Sequence, residues 1–323
     1  MKTIAIPAFR TAESMGAIGP FELLTKTFLL WRETAQSASG RLFDVQLVAA
    51  NRKPIVYPNG VTITPTATFH SCRPDIIIVP ALDDQIEDCL RENAACVSWM
   101  RKNFQQGAHV SSFCTGAFIL GAAGILDGKQ VTTHWQFAGQ FKKRFPNTRL
   151  REDRLIVDEG SIVTSGAATS YLNLVIYLVG KHFGHDLAVL ASKTFLIDMD
   201  RPSQLPYRIY FPAITHNDSA IALRQEFINR DLQANLNLAD LARQAGMSPR
   251  NFSRRFKVAT GDSVVVYIQK LRIEAAKKLF ETSNLSAAEV TYRIGYNDER
   301  SFRRLFKKHT GLAPKNYRAK FSK

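Results

Sequence analysis

The feature that most constrains this chain is a short pattern that occurs twice in its C-terminal third. Each copy has an amphipathic segment with helical spacing, a glycine where that helix stops, and a second segment with two phenylalanines one turn apart. The glycines are Gly246 and Gly295, and the pairs are Phe252 with Phe256 and Phe302 with Phe306. Because residues one turn apart share a face of a helix, each pair predicts a buried side. Both copies therefore predict a helix, a tight turn and a second helix.

The outer face of each second helix carries basic and small polar side chains. These are Arg250, Ser253, Arg254 and Lys257 in the first copy, and Arg300, Ser301, Arg303, Arg304 and Lys307 in the second. A helix that is buried on one side and offers guanidinium groups on the other is typical of a recognition helix, because these groups reach guanine edges and phosphates. The alternative is a solvated basic face on an ordinary helical bundle. The repetition favours double-stranded DNA as the partner.

The second copy and the residues after it resemble the signature of AraC-type transcription regulators. The matching positions are Gly295-Tyr296, Ser301-Phe302, Arg304, Phe306-Lys307, Thr310-Gly311, Pro314 and Tyr317-Arg318. The resemblance covers residues 220–320 and implies two helix-turn-helix units, joined by a long helix from Val264 to Phe280. It implies that the two units read successive segments of the major groove. The base-reading candidates that it implies are Arg250, Ser253, Arg254, Arg300, Ser301, Arg303 and Arg304.

Charge is shared unevenly along the chain. From Ala213 onward there are 21 Lys and Arg against 10 Asp and Glu, a net +11 out of +15 for the whole sequence. This excess favours a polyanionic partner for the C-terminal part. Three closely spaced prolines, Pro202, Pro206 and Pro212, predict an extended and stiff connection just before it. The sequence therefore predicts an N-terminal domain over residues 1–199, a linker over 200–218 and a DNA-binding domain over 219–323.

Apolar runs and cysteines exclude several classes of protein. The longest runs, Ile119 to Leu126 and Leu172 to Val179, are too short to span a bilayer, and the N-terminus lacks a secretory pattern. We therefore expect a cytoplasmic protein without a membrane partner. Four cysteines are too few for a disulfide framework in a chain of 323 residues, and none has metal-ligand spacing. No metal and no cofactor is predicted.

The N-terminal part alternates between apolar runs and amphipathic segments. Strands are predicted at Thr3 to Ala8, Phe43 to Ala50, Asp75 to Val79 and Ala108 to Phe113, helices at Pro20 to Trp31 and Glu87 to Phe104, and a hairpin between Pro54 and Pro65. Strands and helices in this succession predict a flavodoxin-like parallel sheet with helices on both faces. The predicted fold is thus an α/β domain followed by an all-α domain.

The strand that ends at Phe113 runs directly into Cys114-Thr115-Gly116-Ala117 and then into a helix. A small reactive residue on a sharp strand-to-helix turn is typical of a nucleophile elbow, and we expect the helix N-terminus to lower the pKa of the thiol. Thr132-Thr133-His134-Trp135 forms another such junction. His134 is therefore expected to face Cys114 across the edge of the sheet where ligands bind.

This half of the chain resembles the class I glutamine amidotransferase-like (PfpI-like) family over residues 1–195. The matching positions are Gly19-Pro20-Phe21-Glu22, Pro74-Asp75, Cys114-Thr115-Gly116-Ala117, Ala123-Gly124, Leu126-Asp127-Gly128, Thr132-Thr133-His134-Trp135 and Thr164-Ser165. The family includes thiol hydrolases and hydratases, and also non-catalytic sensor domains fused to AraC-type modules. That fused arrangement, called GlxA-type, is similar to the whole chain.

The acidic third member of a Cys-His site is missing from its expected positions. Catalytic relatives carry an acid shortly before the Gly-Pro, where this chain reads Met15-Gly16-Ala17-Ile18, and Asn173 stands where fused relatives often have Asp. Glu13 lies nearby at the wrong offset. We therefore predict a regulator and not an enzyme, with Cys114 and His134 as vestigial catalytic candidates. A thiol hydrolase or hydratase with a nucleic-acid tether, or an inert scaffold, is the alternative.

The sensor hypothesis names a ligand site and further partners. A small-molecule effector is expected at the loop from Gly16 to Gly19 and at the two junctions, with the ligand-binding candidates Gly16, Ile18, Cys114, Thr115, His134 and Trp135. A homodimer is expected because both resembled families commonly self-associate, and RNA polymerase is a further candidate partner. The sequence identifies neither the effector nor the operator.

Overall fold

The computed structural model describes residues 1–34, 42–234 and 236–322, and it divides into two compact units, Met1–Gln204 and Leu205–Lys323. The strands of the first unit are β1 (Lys2–Pro7), β2 (Phe43–Ala49), β3 (Ile55–Val56), β4 (Thr62–Ile63), β5 (Ala67–Thr68), β6 (Ile76–Val79), β7 (His109–Phe113), β8 (Gln130–Val131), β9 (Arg149–Leu150), β10 (Ile156–Asp158) and β11 (Ile162–Ser165). Its α-helices are α1 (Ser14–Thr34), α2 (Ile86–Glu92), α3 (Ala94–Gln105), α4 (Ala117–Ala122), α5 (Ala138–Arg144), α6 (Ser170–Phe183) and α7 (His185–Thr194).

The second unit is helical. Its helices are α8 (Ser219–Arg230), α9 (Leu238–Gln244), α10 (Pro249–Thr260), α11 (Val264–Thr282), α12 (Ala287–Arg293), α13 (Glu299–Thr310) and α14 (Pro314–Phe321). Short 3-10 turns lie at Cys114–Gly116 and Trp135–Phe137 in the first unit and at Leu205–Tyr207 in the second. Within the described residues, no helix combines the length and the hydropathy that a bilayer span requires.

A seven-stranded sheet forms the centre of the first unit, in the order β10-β11-β7-β6-β1-β2-β5. Every neighbouring pair is parallel except β10 and β11 at one edge. The four residues of β6 are all buried, as expected for a strand with both faces covered. Helices α1, α6 and α7 pack against one another, and α2, α3 and α4 form a second group. The predicted flavodoxin-like fold is confirmed.

The order of the strands creates a switch point at β1. The chain leaves β1 and pairs β2 on one side, whereas β6 pairs β1 on the other side. Connections that leave in opposite directions open a crevice at the carboxyl ends of the strands, and this crevice is where ligands bind in open α/β sheets. The segments that follow β1, β6 and β7 therefore meet at one edge.

Two predicted elements differ from the structure. The predicted helix over Glu87 to Phe104 is two helices, because Asn93 interrupts it: its side-chain amide donates to the Cys89 carbonyl at 2.7 Å and to Thr11 Oγ1 at 2.6 Å. An asparagine that bonds to the local backbone competes with helix continuation. The predicted loop from Gly16 to Gly19 lies inside α1, which begins at Ser14 rather than at Pro20.

The two glycines of that helix serve close packing. A Cβ on Gly16 would lie 3.1 Å from Pro80 Cβ, and a Cβ on Gly19 would lie 2.7 Å from the ring of Tyr171. Larger residues would force α1 away from its neighbours. Gly16 and Gly19, which predicted a loop, therefore allow α1 to pack closely against Pro80 and Tyr171.

The second unit has two small cores joined by α11. Phe252, Phe256 and Tyr267 belong to the first core, and Phe280, Phe302, Phe306 and Tyr317 belong to the second. Helix α11 contributes to both, through Tyr267 at one end and Phe280 at the other. The predicted joining helix, and the buried phenylalanines of both copies, are confirmed.

Residues directly after Gln204 pack as part of the second unit. The Tyr210 hydroxyl donates to Asp262 at 2.9 Å, and Lys277, which is 5% exposed, donates to the backbone carbonyl of Arg208. The ring of Tyr207 lies edge-on to that of Phe321 at 5.5 Å. This stretch is therefore attached to both halves of the helical unit through Tyr207, Arg208 and Tyr210.

Candidate nucleic-acid interface and ligand site

The two predicted recognition helices, α10 and α13, have well-defined ends. Ser248 caps α10 by accepting the Asn251 N–H at 3.4 Å, and Asp298 caps α13 by accepting the Ser301 N–H at 3.0 Å. Both helices end at a left-handed glycine, Gly261 with φ +78° and Gly311 with φ +73°. Helices that start and stop at fixed residues hold their outer faces in defined positions.

The predicted DNA-binding side chains lie on the outer faces of these two helices. Eight of them are exposed and Ser253 is half-buried; the exposed ones are Arg250, Arg254, Lys257, Arg300, Ser301, Arg303, Arg304 and Lys307. The structure brings each set together on one helix, opposite two phenylalanines with 0% exposure. The basic groups and the buried phenylalanines therefore occupy opposite sides of each helix, as expected of a helix that binds DNA.

The arginines differ in their existing partners. Arg303 pairs with Glu299 one turn earlier, at 2.5 and 2.9 Å, and Arg254 donates to Asn251 Oδ1 at 3.2 Å. Among the described residues, no side-chain hydrogen bond or ion pair holds Arg300 or Arg304. These two guanidinium groups are already free to meet a nucleic acid, whereas Arg303 has a competing carboxylate.

A basic cavity of about 490 Å³ opens beside α13. Arg303, Arg304 and Lys307 line it from α13, and Lys315 and Arg318 line it from α14. Arg318 is held by the backbone carbonyl of Leu285. The sequence analysis did not predict Lys315 as a DNA-binding residue. It could have been predicted from its position directly after Pro314, which begins α14 and belongs to the AraC-type signature.

Arg255 shows why a basic residue on a recognition helix need not face DNA. Its guanidinium donates to both carboxylate oxygens of Asp218, at 2.9 and 2.7 Å, and Asp218 also accepts the N–H of Ile221 as the cap of α8. This bidentate pair fastens α10 to α8. Arg255 therefore positions the helix and leaves Arg254 to point outward.

In the first unit, Cys114 sits on the predicted sharp turn. Its φ is +54°, a region that non-glycine residues seldom occupy. The turn is held on both sides: the Cys114 N–H donates to the Gly166 carbonyl at 2.6 Å, and Thr133 Oγ1 donates to the Cys114 carbonyl at 2.8 Å. A Cβ on Gly116 would lie 2.5 Å from the Pro80 carbonyl oxygen, so the turn also needs that glycine. The elbow geometry is confirmed.

The expected lowering of the thiol pKa is wrong. Burial raises the pKa of Cys114 to about 11, and the negative charges of Glu13 and Asp84 raise it further, while hydrogen bonds from Thr115 oppose the rise. Cys114 is 7% exposed. Loss of hydration outweighs the effect of the helix start, because a thiolate is far costlier to bury than a thiol. At neutral pH the side chain is therefore a thiol.

The ring of His134 is hydrogen-bonded within its own turn. Its Nδ1 accepts the N–H of Gln136 at 3.1 Å, so in the neutral ring Nε2 carries the proton. Burial lowers the pKa of His134, and Asp84 partly opposes this. Among the described residues, no hydrogen bond joins Cys114 to His134. The ring of His134 lies 5.1 Å from that of Trp135 instead.

One further position bears on the missing acid. Asn173 uses its side-chain amide to donate to the Asp198 carbonyl at 2.6 Å, a structural contact that ties α6 to the segment after α7. Within the described residues, no group of three or more His, Cys, Asp and Glu side chains is arranged to hold a metal ion. The edge thus contains an elbow and a neutral imidazole that are not hydrogen-bonded to each other.

A cleft of about 380 Å³ lies beside the elbow. Three segments line it: Ala12, Glu13, Ser14 and Met15 after β1, Tyr57, Pro58 and Asn59 in the β3–β4 hairpin, and Leu82, Asp83 and Asp84 after β6. Two hydrogen bonds of 2.7 Å between Thr115 Oγ1 and the backbone of Leu82 attach this cleft to the elbow. Sequence reasoning missed its lining, apart from Glu13, because the three segments are far apart in the chain.

The predicted ligand-binding residues surround the elbow rather than line that cleft. Gly16 and Thr115 are buried, Ile18 and Trp135 are half-buried, and Gly16 packs near Phe113, the residue before Cys114. None of the six forms part of the cleft wall. These six residues therefore lie outside the cleft wall, and Thr115 contacts that wall through the backbone of Leu82.

Known proteins resemble both units. Residues 2–180 match the model of the DJ-1/PfpI family, and residues 241–320 match that of a helix-turn-helix domain. The HTH-type transcriptional regulator CdhR of Pseudomonas aeruginosa is 25% identical over 281 residues, which cover 86% of this chain and 82% of CdhR. Isonitrile hydratase of Pseudomonas putida is 29% identical over 202 residues, which cover 60% of this chain and 86% of the hydratase.

A solved structure supports the fold. The crystal structure of a THiJ/PfpI family protein from Pseudomonas syringae superposes with a TM-score of 0.52 at 20% identity, covering 76% of this chain and 88% of that one. At this identity the likeness shows the fold alone.

Proposed function

The chain belongs to the DJ-1/PfpI family and carries a C-terminal AraC-type helix-turn-helix domain, and from this we propose that it is a sequence-specific DNA-binding transcription regulator. The N-terminal domain is proposed to bind a small-molecule effector that changes DNA binding. Because such a regulator acts on the chromosome, the proposal puts the protein in the cytoplasm. The relative CdhR, which aligns with most of the chain, is itself named a transcriptional regulator.

The observation that carries the proposal is the duplicated recognition helix. Two helices have the same buried phenylalanine spacing and the same left-handed glycine at the end, and both carry a row of exposed basic groups. One basic helix is common on protein surfaces, whereas two matched ones on a shared helical scaffold favour a duplex with two successive grooves.

The side chains divide into two proposed roles. Arg250, Ser253 and Arg254 on α10, and Arg300, Ser301, Arg303 and Arg304 on α13, are proposed to reach bases, and Lys257 and Lys307 to bind phosphates. Arg300 and Arg304 are the strongest candidates, because neither has to leave an ion pair first. The cavity that contains Lys315 extends the phosphate-binding surface onto α14.

Sensing is favoured over catalysis at the elbow. A thiol with a pKa of about 11 and an imidazole whose Nδ1 already accepts a backbone N–H do not form the activated pair that a thiol enzyme uses. The alternative, a thiol hydrolase or hydratase fused to a DNA-binding domain, is supported by the strained elbow and by the similarity to isonitrile hydratase. We propose that the elbow is retained as a structural part of the sensor.

Partners other than DNA and the effector are also proposed. A homodimer would present four recognition helices to an inverted or direct repeat, and sedimentation of the full chain at several concentrations measures this association. Contact with RNA polymerase would make the regulator an activator. A promoter assay with purified polymerase distinguishes activation from repression.

Selection of bound fragments from a random duplex library by the full chain tests the DNA-binding proposal. The expected result is one enriched motif, with Arg304→Ala losing selectivity at part of it. Absence of any enriched motif at moderate salt would overturn the proposal. For the effector, promoter output of Cys114→Ala and His134→Ala is compared with wild type; a wild-type response in both would show that the effector does not bind at the elbow.

A further inference from the structure

The joining helix α11 passes from one core of the helical unit to the other at a single position. Leu271 packs against the first core and Ile273 belongs to the second. Arg272 lies between them, near the middle of the helix, and is half-buried. Long helices are rarely straight, so one helix alone does not fix the angle between the two halves that it joins. The orientation of the halves therefore also depends on contacts made beside α11.

The side chain of Arg272 contacts both halves. Its Nε donates to the Leu232 carbonyl at 3.1 Å, and its Nη2 donates to the Ala234 carbonyl at 3.1 Å. Both carbonyls belong to the segment between α8 and α9, and Leu232 packs against the first core. The guanidinium carbon lies 5.0 Å from the centroid of the Tyr296 ring, which packs against the second core. One planar group thus hydrogen-bonds to the first half and lies over an aromatic ring of the second.

The turn of the second helix-turn-helix copy lies directly against the same segment. A Cβ on Gly295 would lie 2.3 Å from the Leu232 carbonyl oxygen and 2.6 Å from Arg272 Nη2. A Cβ on Gly246, the equivalent glycine of the first copy, would meet no atom of the described residues within 4 Å. Both glycines make a turn, but only the one in the second copy also allows the two halves to approach each other closely.

A second set of contacts holds α11 from the opposite side. The Lys270 ammonium lies 4.8 Å from the centroid of the Tyr210 ring, and Lys277 donates to the Arg208 carbonyl. Lys270 and Lys277 are seven residues apart and share a face of the helix, whereas Arg272 lies two residues after Lys270, about 200° around the axis. The extended stretch before α8 and the contacts of Arg272 therefore hold the helix from two sides.

We propose that Arg272 is a positioning residue for DNA reading. It fixes the orientation of α13 relative to α10, so that the protein binds the two blocks of its operator at one spacing. The inference rests on the proposed regulator function and adds the determinant of operator spacing to it. Arg272 acts through the two recognition helices and needs no contact with DNA, because its guanidinium is already engaged within the protein.

Changing the operator measures this effect. One base pair inserted between the two blocks moves one block by about 3.4 Å and turns it by about 35°. A protein whose recognition helices are held together cannot follow this movement, and it loses at least one bidentate base contact, worth about tenfold in affinity. A protein whose halves move relative to each other recovers part of that contact. The ratio of the two dissociation constants therefore reports how firmly the helices are held.

The test uses the full chain and the motif that it enriches from a random duplex library. Loss of selectivity in Arg254→Ala assigns one block of the motif to α10, and loss in Arg304→Ala assigns the other to α13. Dissociation constants are then measured by fluorescence anisotropy for this operator and for versions with one base pair inserted or deleted between the blocks. Wild type is expected to bind the changed operators at least about tenfold more weakly.

Three variants test the role of the side chain. Arg272→Met keeps an unbranched side chain but donates no hydrogen bond, and it should reduce the penalty for changed spacing to about threefold or less. Arg272→Lys keeps the charge but ends in a single nitrogen without the planar fork, so it should also relax the spacing. Lys278→Met is the matched control, because it removes a charge from an exposed position of the same helix; it should keep the wild-type penalty.

This ratio separates positioning from stability. Both dissociation constants come from the same preparation, so a loss of folded protein lowers both apparent affinities alike and cancels. A wild-type ratio in either Arg272 variant, or a relaxed ratio in Lys278→Met, would overturn the inference. Tolerance of changed spacing by the wild-type chain would overturn it without any variant. If a motif is enriched and one of these results is obtained, only the role of Arg272 is lost; if no motif is enriched, the regulator proposal fails and the inference with it.

Discussion

Gln204, the last residue of the first unit, is 1% exposed and holds three backbone and side-chain oxygens together. Its amide Nε2 lies 3.0 Å from the Thr133 carbonyl, 3.2 Å from Thr132 Oγ1 and 3.3 Å from the Arg154 carbonyl. An amide nitrogen has two hydrogens, so two of these contacts act as full bonds at one time. Replacing Gln204 by alanine removes all of them.

The magnitude follows from these contacts. Two net hydrogen bonds contribute about 2 kcal/mol, and the Thr133 carbonyl left without its donor adds about 1 kcal/mol. Loss of the side-chain methylene adds about 1 kcal/mol. Alanine avoids the entropy cost of fixing a glutamine, which offsets about 1.5 kcal/mol. It also removes the buried Gln204 Oε1, which has no hydrogen-bond partner among the described residues, and this offsets about 1 kcal/mol. Gln204→Ala is therefore expected to lower the free energy of unfolding of the first unit by about 1–2 kcal/mol.

The assay exploits the placement of the tryptophans. Trp31, Trp99 and Trp135 are the three tryptophans of the sequence, and all belong to the first unit, so urea unfolding followed by tryptophan fluorescence reports that unit alone. The midpoint should fall with an unchanged slope. Gln204→Met, which keeps the packing but cannot donate, should lose nearly as much, and exposed Gln140→Ala should change the free energy by less than about 0.5 kcal/mol. Equal midpoints for wild type and Gln204→Ala would refute the reasoning.

Three further predictions concern the elbow and the helical unit. Since burial raises the pKa of Cys114 to about 11, iodoacetamide should label it slowly at pH 7 and faster as the pH approaches that value; fast labelling at pH 7 would favour the thiol enzyme. Arg254→Ala should cost about 1–3 kcal/mol on a selected operator and little on scrambled DNA, whereas Lys257→Ala should weaken both equally; equal losses for both variants would make Arg254 a phosphate contact. Gly295→Ala should lower the melting temperature of the helical unit far more than Gly246→Ala. A Cβ at Gly295, where φ is +83°, would lie 2.3 Å from the Leu232 carbonyl oxygen, whereas Gly246 has φ +66° and open space around it, so that its replacement should cost about 1 kcal/mol. Similar melting temperatures for the two variants would contradict the packing argument.

Local signals predicted much of the architecture. A glycine that needs a left-handed φ, as at Gly246 and Gly295, can be found from its neighbours alone, and so can a phenylalanine pair at helical spacing. The repeat nevertheless extends beyond the second helix of each copy, which the sequence analysis did not predict. Thr260 and Thr310 both cap the preceding turn through their hydroxyls, and Tyr267, like Tyr317, lies at the start of the next helix.

Features that depend on contacts between distant segments were not predicted. Burial under the surrounding chain raises the pKa of Cys114, and this effect is larger than the lowering expected from the local helix start. Likewise Asn93 ends a helix through a contact with Thr11, and the cleft beside the elbow combines three segments that no sequence window contains. Such properties follow from the assembled sheet and not from spacing along the chain.

Helix α11 also fixes the separation between the two helix-turn-helix cores. Its 19 residues form an uninterrupted rod of about 28 Å that is built into the core of each helix-turn-helix unit, close to the roughly 34 Å that separates equivalent major-groove faces of a duplex. One extra residue in its middle would turn α13 by about 100° relative to α10, although every side chain proposed to contact DNA would still be present. In the proposed binding mode, the length of α11 would therefore set the spacing between the two halves of the operator.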